Sequence, residues 1–587
     1  MHIPQSLRNK FKKFRIIIFI VGLCLIFFLT FYLFIIFRGA KELRRDLSEI
    51  LPADTLFYLS IRNLDKIIGD VEESEFFKYF QKSSLYGILQ LSGSYRHYQK
   101  NKEEWESDIR QKIDREFIKK WFGKHTILAV ISSEDEIPGL IIMSRTGIGF
   151  EEKLAELIAQ YFPLLKLEKY KYKNILITAY KDKKVEKSLF YIRFGQTIIL
   201  SIMTKDDSYI KRIIDLALSK NSESLATNPE FDRNYRIKYN DEGVEVYIKV
   251  NDLWEKLFNN DESRKYIEQK MKPELQFAVT DFLSQFHTYV LSLKIKKNIF
   301  VNWKYTFNKD YLFYDVQKAY PMEKYESRLI RYVDKDAMLF FVHLPIEWAY
   351  KLGIEPKVGR EIRGLPIYFK SILDDMKKEY NVDIENSIVP RLDNEIAMIA
   401  TPLDNPNLIP FSSLVFIKVK DKKAIDVMMN KLLKEIAKKY KYKAVLFKTT
   451  LENCSIQYLN IMFGLANFGY TFIDDYLVIM INIEGLNKAL KVSRGALESI
   501  ADNNEYQGAK KDFQSKTNTQ IYIDFKKLSK ITQNSSALKS YIMQISDEEK
   551  LNTVLAILDA IGHINKLSGT DVNIENGRVC KWIIYME

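Results

Sequence analysis

The sequence predicts an α+β fold, with an N-terminal transmembrane helix followed by two copies of a domain in which helices cover an antiparallel sheet. Three observations predict it. An uncharged apolar run occupies residues 16–37. The chain of 587 residues is long enough for two sizeable domains. The same order of strands, hairpins and helices occurs twice after residue 50. We therefore interpret the chain as an internal duplication behind a membrane anchor.

The apolar run IIIFIVGLCLIFFLTFYLFIIF contains no charged residue. At about 1.5 Å of rise per residue it can cross a hydrocarbon core of roughly 30 Å. A cleaved signal peptide has a shorter apolar core and a small-residue exit, so we interpret the run as an uncleaved, single-pass signal anchor in the lipid bilayer. The residues assigned to this anchor include Ile16, Ile20, Leu23, Phe27, Phe31, Phe34 and Phe37.

The positive charge is concentrated around this anchor. Residues 1–45 hold nine Lys or Arg and one acid, so they contribute +8 of the net +13. The remaining +5 is spread over helices of mixed sign, which are typical of solvated faces, so no nucleic-acid partner is predicted. A short basic tail before a large body favours a cytoplasmic N-terminus at the inner membrane and a periplasmic or extracytoplasmic bulk. The charges used for this topology are Lys10, Lys12, Lys13 and Arg15.

The repeat is seen by aligning the two halves of the chain. The first strands, in LPADTLFYLSIRNL and VDKDAMLFFVHLPI, place Asp54 opposite Asp336. Later hairpins turn at Gly195-Gln196 and Asp474-Asp475, and the last hairpins align Trp303 with Trp582. Two or three amphipathic helices are expected on one face of each sheet. The predicted segments are a basic tail 1–15, a transmembrane helix 16–37, a stalk 38–50, repeat one 51–305, a linker 306–332 and repeat two 333–587.

The anchor, the charged stalk, the Leu51-Pro52-Ala53-Asp54-Thr55 turn and the segment FGKHTILAVI at 122–131 resemble a bacterial envelope family of uncharacterised proteins, domain of unknown function 3352. The resemblance covers most of the chain and concerns turn and strand patterns. It implies an exported, membrane-tethered protein with repeated α+β units. It brings no catalytic residue that can be transferred to this sequence.

Reactive motifs are absent from the sequence. The six histidines form no zinc spacing, and neither a phosphate-binding glycine loop nor a nucleophile elbow occurs. The acidic pairs Asp206-Asp207, Asp374-Asp375 and Asp474-Asp475 are attributed to a helix start, a helix face and a turn. We predict no catalytic, cofactor-binding or metal residue, and no cofactor. Cys454 and Cys580 are either two free thiols or one bridge.

The positions that recur in both halves are of structural types. They are apolar strand residues, turn or cap residues such as Asn228 and Asn503, and the acidic pair Glu230 and Glu505. We predict a non-catalytic envelope protein whose duplicated ectodomain scaffolds or binds other envelope components. The alternatives are a carrier or sensor of a lipid or other hydrophobic ligand, which the 13% aromatic content allows, and an envelope hydrolase. The hydrolase requires a cleft in which Glu230 or Glu505 lies beside another titratable group whose pKa is shifted.

Overall fold

The structure is a computed structural model, and its secondary structure is described for the following residues: 46–109, 112–117, 124–132, 138–145, 166–181, 188–204, 206–219, 223–231, 242–260, 264–265, 268–269, 280, 283–284, 286–296, 298–308, 327–343, 374, 377–403, 410–461, 466–510, 517–535, 540, 554–557, 559–560, 562–574 and 577–586. The predicted anchor residues and topology charges lie outside this range. Within it, no helix has both the length and the apolar character needed to cross a membrane.

The described chain forms two compact units, one built on the first nine strands and the other on the remaining eleven. The strands of the first unit are β1 (Thr55–Arg62), β2 (His125–Ile131), β3 (Gly139–Arg145), β4 (Lys166–Tyr172), β5 (Ile175–Lys181), β6 (Ser188–Phe194), β7 (Thr197–Thr204), β8 (Gly243–Lys249) and β9 (Phe286–Ile295). They pair antiparallel in the order β4-β5-β6-β7-β3-β2-β1-β8-β9.

The second unit begins with β10 (Asn298–Phe307) and continues with β11 (Leu339–His343), β12 (Leu392–Pro402), β13 (Phe411–Val419), β14 (Ala444–Leu451), β15 (Cys454–Ile461), β16 (Ala466–Ile473), β17 (Tyr476–Ile481), β18 (Thr519–Asp524), β19 (Ile564–Ile574) and β20 (Gly577–Met586). The antiparallel order is β14-β15-β16-β17-β13-β12-β11-β18-β19-β20-β10. Strand βn of the first unit therefore occupies the same place in its sheet as strand βn+10 of the second, for β1 to β9.

The described helices are α1 (Leu64–Glu73), α2 (Glu75–Lys82), α3 (Ser84–Leu91), α4 (Gly93–Ile109), α5 (Ser208–Leu218), α6 (Val250–Asn259), α7 (Ile384–Ser387), α8 (Lys422–Tyr440), α9 (Ile483–Ser493), α10 (Asn504–Lys510) and α11 (Phe525–Asn534). Short 3₁₀ helices occupy Leu47–Ile50, Leu225–Thr227, Arg328–Tyr332, Val389–Arg391, Lys441–Lys443 and Ile500–Asp502. Among these elements only α4 and α8 exceed 11 residues.

The predicted α+β class, with two copies of a helix-covered sheet, is therefore wrong. The described strands form antiparallel sheet throughout, nine of them in the first unit and eleven in the second, and the helices are few. The prediction counted too few strands because the charged alternation of KLEKYKY in β4 has no apolar face from which a strand can be recognised. Strand β10 pairs along its length with β20, from Asn298 opposite Tyr585 to Thr306 opposite Gly577.

The apolar cores lie on the sheet faces. In the first unit, Tyr58, Ile127 and Phe190 belong to a core beneath α5 and the 3₁₀ segments at 47–50 and 225–227. The second unit has two cores. One contains Phe340 and lies under α9, and the other contains Leu433 and lies under α8. Helices thus cover both faces of the second sheet, whereas the sequence predicted cover on one face.

Candidate functional site

A recurrent asparagine ends the 3₁₀ helices at 225–227 and 500–502 and fastens each to the turn before β1 or β11. In the first unit, Asn228 Nδ2 donates to the Ala53 carbonyl at 3.0 Å, and its Oδ1 accepts from the Glu230 backbone N–H at 2.9 Å. In the second unit, Asn503 makes the same two bonds, to the Lys335 carbonyl at 3.0 Å and from the Glu505 N–H at 2.9 Å. We call this arrangement the asparagine clamp. The clamp fixes the backbone position of the glutamate two residues later.

The Glu230 carboxylate is surrounded by polar side chains from β8 and β9. Its Oε1 lies 2.5 Å from His287 Nε2, and its Oε2 accepts from the Tyr247 hydroxyl at 3.4 Å. Lys249 Nζ lies 4.0 Å from Oε2. The Glu230 and His287 side chains are 34% and 37% exposed, so a solute can reach both. A carboxylate and an imidazole at this distance can hold and pass a proton.

The second unit places a different partner beside its glutamate. Glu505 Oε2 lies 2.8 Å from Lys566 Nζ, on β19, in a pair whose carboxylate is 54% exposed. The neighbouring Tyr506 hydroxyl accepts from Gln520 Nε2 at 2.5 Å. Glu505 therefore forms an ion pair with an ammonium, where Glu230 lies beside an imidazole. The two glutamates therefore occupy equivalent places with different chemistry.

A buried tyrosine lies beneath each clamp. Tyr247 and Tyr522 are fully buried at equivalent positions in β8 and β18. Burial, reinforced by Glu230, raises the pKa of Tyr247. Burial, reinforced by Asp524 and Glu505, raises the pKa of Tyr522. Both phenols therefore stay protonated; Tyr247 donates to Glu230, and Tyr522 packs against the Tyr506 ring.

A second polar cluster is buried at the end of β1. The Arg62 guanidinium, 1% exposed, lies 2.9 Å from Asp46 Oδ2 and 3.3 Å from Glu245 Oε2, and Glu245 also accepts from the Tyr58 hydroxyl. Burial opposes the charge on Arg62, but the two carboxylates and Tyr58 raise the pKa of the guanidinium above its ordinary value. Asp46 also caps the 3₁₀ helix at 47–50. This cluster ties the start of the described chain to the sheet.

The second unit has its own buried ion pair, at a different place. Arg578 Nη2 lies 2.8 Å from Asp571 Oδ2, with both side chains about a tenth exposed, and Trp582 Nε1 donates to Asp571 Oδ1 at 2.9 Å. The Trp582 ring packs against Trp303, with ring centroids 4.6 Å apart. The tryptophans that the sequence aligned as counterparts are thus contacting neighbours on β20 and β10.

The other residues singled out from the sequence have structural surroundings. His125 lies on β2 with Nε2 2.9 Å from Ser60 Oγ, and Asp206 and Asp207 lie at the start of α5, as predicted. Asp474 turns between β16 and β17 with a φ of 49°, also as predicted. Asp374 is an exposed helical residue, and Asp375 lies outside the described range.

The two described cysteines are free thiols, which resolves the choice that the sequence left open. Cys454 is half-buried on β15 and Cys580 is buried on β20. Burial raises the pKa of both thiols. Across the described ranges, no three or more His, Cys, Asp or Glu residues come together as a metal-binding group.

Comparison with known proteins gives a family without a function. The chain matches none of the curated proteins and none of the solved structures with which it was compared. A family model described as "Protein of unknown function (DUF3352)" matches residues 92–565. That range spans most of the chain and both sheet units, which confirms the resemblance noted from the sequence. The chain belongs to the DUF3352 family.

Proposed function

We propose that the protein is a non-catalytic envelope protein, held at the inner membrane through residues 16–37, whose two sheet units act as a scaffold or binding module for other envelope components. The observation that carries this proposal is the asparagine clamp. The clamp recurs with the same bonds in both units, whereas the partner of the following glutamate changes from His287 to Lys566. A shared architecture requires the clamp to be the same in both units. A shared reaction would require the partner of the glutamate to be the same, and it is not.

Crosslinking in intact cells tests the binding role. The full-length chain, carrying an affinity tag, is treated with a lysine-reactive reagent and purified under denaturing conditions, and attached proteins are identified by mass spectrometry. We expect a reproducible set of envelope proteins, enriched over an unrelated tagged single-pass protein at the same expression level. Recovery of the same proteins with both baits would contradict a specific scaffold.

Thiol labelling tests the location of the sheet units. Cys454 is half-buried and Cys580 is 1% exposed, so Cys454 is the reporter of the two. In intact cells with a permeable outer barrier, a membrane-impermeant maleimide should label the wild-type chain. The Cys454→Ser variant is the matched control and should not be labelled. Labelling that requires lysis of the inner membrane would place the units in the cytoplasm.

A hydrolase acting at Glu230 and His287 is the second candidate, because this pair is accessible and has the geometry of a general base. Purified full-length chain would be incubated with isolated cell-wall and lipid fractions, and the products followed by mass spectrometry. This candidate requires products from the wild type and from Glu505→Gln, but none from Glu230→Gln. Absence of products from the wild-type chain removes it.

A further inference from the structure

The edge strands β4 and β14 differ in the side chains that protect an edge from pairing with another chain. In the described chain, β14 pairs with β15 alone and β4 with β5 alone, so each ends its sheet order. The side chains of β4 at Lys166 and Glu168 are charged, and Glu168 is bonded to both Lys166 and Lys181. Charged side chains on an edge strand are a common protection against pairing with another chain.

The equivalent positions of β14 are apolar and exposed. Counting back from the two hairpin turns, which pair Tyr172 with Ile175 and Leu451 with Cys454, Val445 replaces Lys166 and Phe447 replaces Glu168. Val445 is 47% exposed and Phe447 is 44% exposed. Phe447 stacks on Tyr458 of β15, with centroids 5.6 Å apart, which holds the ring at the sheet face.

We propose that β14 is an interface at which a second copy of this chain pairs antiparallel to the first. The pairing is centred on Leu446, so that Leu446 lies opposite its own symmetry mate. Val445 of each copy then lies opposite Phe447 of the other, at the Cβ separation of about 4.5–5.5 Å expected for cross-strand neighbours. In this arrangement β14 of each copy covers Val445 and Phe447 of the other.

Charge and register favour this arrangement. Centred on Leu446, the pairing places Lys448 opposite Ala444 of the other copy and Lys443 opposite Thr449, so that no two lysines are directly opposed. Shifting the axis to Lys448 would set two lysines against each other and is disfavoured. A twofold contact also uses the edge of both chains, so the association closes at two copies.

Disulfide trapping in native membranes tests the proposal with the full-length chain. In a Cys454→Ser background, Leu446→Cys places two thiols across the axis and should give a disulfide-linked dimer under mild oxidation. Leu167→Cys, the equivalent position on β4, is the matched control and retains Cys24 and Cys580. We expect at least tenfold more dimer from Leu446→Cys. Equal yields from the two variants, or no dimer from either, overturn the proposal.

Further variants test the strand register of the dimer and the identity of the chain that pairs with β14. Phe447→Glu, added to Leu446→Cys, introduces the residue type found on β4 and should lower the dimer yield at least tenfold. Co-expressed Val445→Cys and Phe447→Cys chains with different tags should crosslink to each other more than to themselves. A Leu446→Cys adduct with a different protein, in place of the dimer, would show that another partner covers β14 and would overturn self-pairing. A thermal unfolding scan establishes that each variant is folded.

Discussion

Replacing Arg62 by Met should destabilise the first unit strongly. Arg62 is 1% exposed and serves two carboxylates, Asp46 at 2.9 Å and Glu245 at 3.3 Å. The substitution keeps the volume of the aliphatic stem and removes the charge. It leaves two acids near each other in a site that solvent barely reaches. Removing one partner from a buried ion pair typically costs about 3–5 kcal/mol.

A surface pair provides the matched control. Arg212 Nη1 also lies 2.9 Å from a carboxylate oxygen, that of Asp54, but both side chains are more than 40% exposed. An exposed ion pair contributes about 0–1 kcal/mol, so Arg212→Met should change stability little. The Arg62–Asp46 and Arg212–Asp54 pairs have the same distance but differ in burial, so comparing them isolates the effect of desolvation. The expected ratio between the two losses is at least about threefold.

Thermal unfolding followed by circular dichroism is the assay. At about 2–4 °C per kcal/mol for a unit of this size, Arg62→Met should lower the transition of the first unit by roughly 6–20 °C. The triple variant Arg62→Met, Asp46→Asn, Glu245→Gln should recover part of this loss, because no buried charge remains. Equal shifts for Arg62→Met and Arg212→Met, or no recovery in the triple variant, would refute the reasoning.

Three further predictions concern stability, and the first two are measured by the same thermal unfolding assay. Gly469→Ala should cost about 1–3 kcal/mol because the new Cβ meets the Gln457 carbonyl and the Tyr458 side chain, whereas Gly508→Ala, in α10 with no atom within 4 Å, should stabilise by about 0.5–1 kcal/mol. A destabilising Gly508→Ala would contradict this comparison. Asn228→Ala and Asn503→Ala should each cost about 1–3 kcal/mol, since both lose a clamp in the same geometry, and a loss at only one position would show that the clamps are not equivalent. Burial raises the pKa of Asp524, so the folded state binds its proton more tightly than the unfolded state and stability falls as pH rises from the unfolded pKa through the raised one. Asp524→Asn keeps the cap of α11 but removes this decline, and a decline of unchanged size in urea titrations between pH 4 and 8 would refute the assignment.

The parts of the fold that the sequence predicted are those with strong local signals. The turn at Gly195-Gln196 is at its predicted position, and Gly195 has a φ of 56°, a conformation that glycine adopts at little cost. The opening strands and the loops around Asn228 and Asn503 also match in both halves. Their residue types are fixed by backbone geometry, so they can be read without knowledge of the packing.

The omitted strands show why the class was wrong. The hairpin β4–β5 turns at Lys173 and Asn174, with φ values of 48° and 65°, and β14–β15 turns at Glu452 and Asn453, with 47° and 69°. An asparagine at the second turn position is a usable signal for a hairpin, but in the first unit the charged residues of KLEKYKY in β4 obscure the strand beside it. The Arg62 cluster was also missed, because Glu245 is 183 residues away from Arg62 and is brought beside it only by the pairing of β1 with β8.

The divergence between the two units follows from where each position lies in the sheet. Residues that hold a loop to a strand are the same in both units, because the sheet order is the same and the clamp has one geometry. Residues outside the clamp differ between the units. His287 lies beside the glutamate in one unit and Lys566 in the other, and Lys166 with Glu168 on β4 correspond to Val445 with Phe447 on β14. Such changes alter what a surface can bind without altering how the sheet is built. Specialisation of this protein is therefore to be sought at the edges of its sheets, where β4 carries charge and β14 carries two exposed apolar side chains.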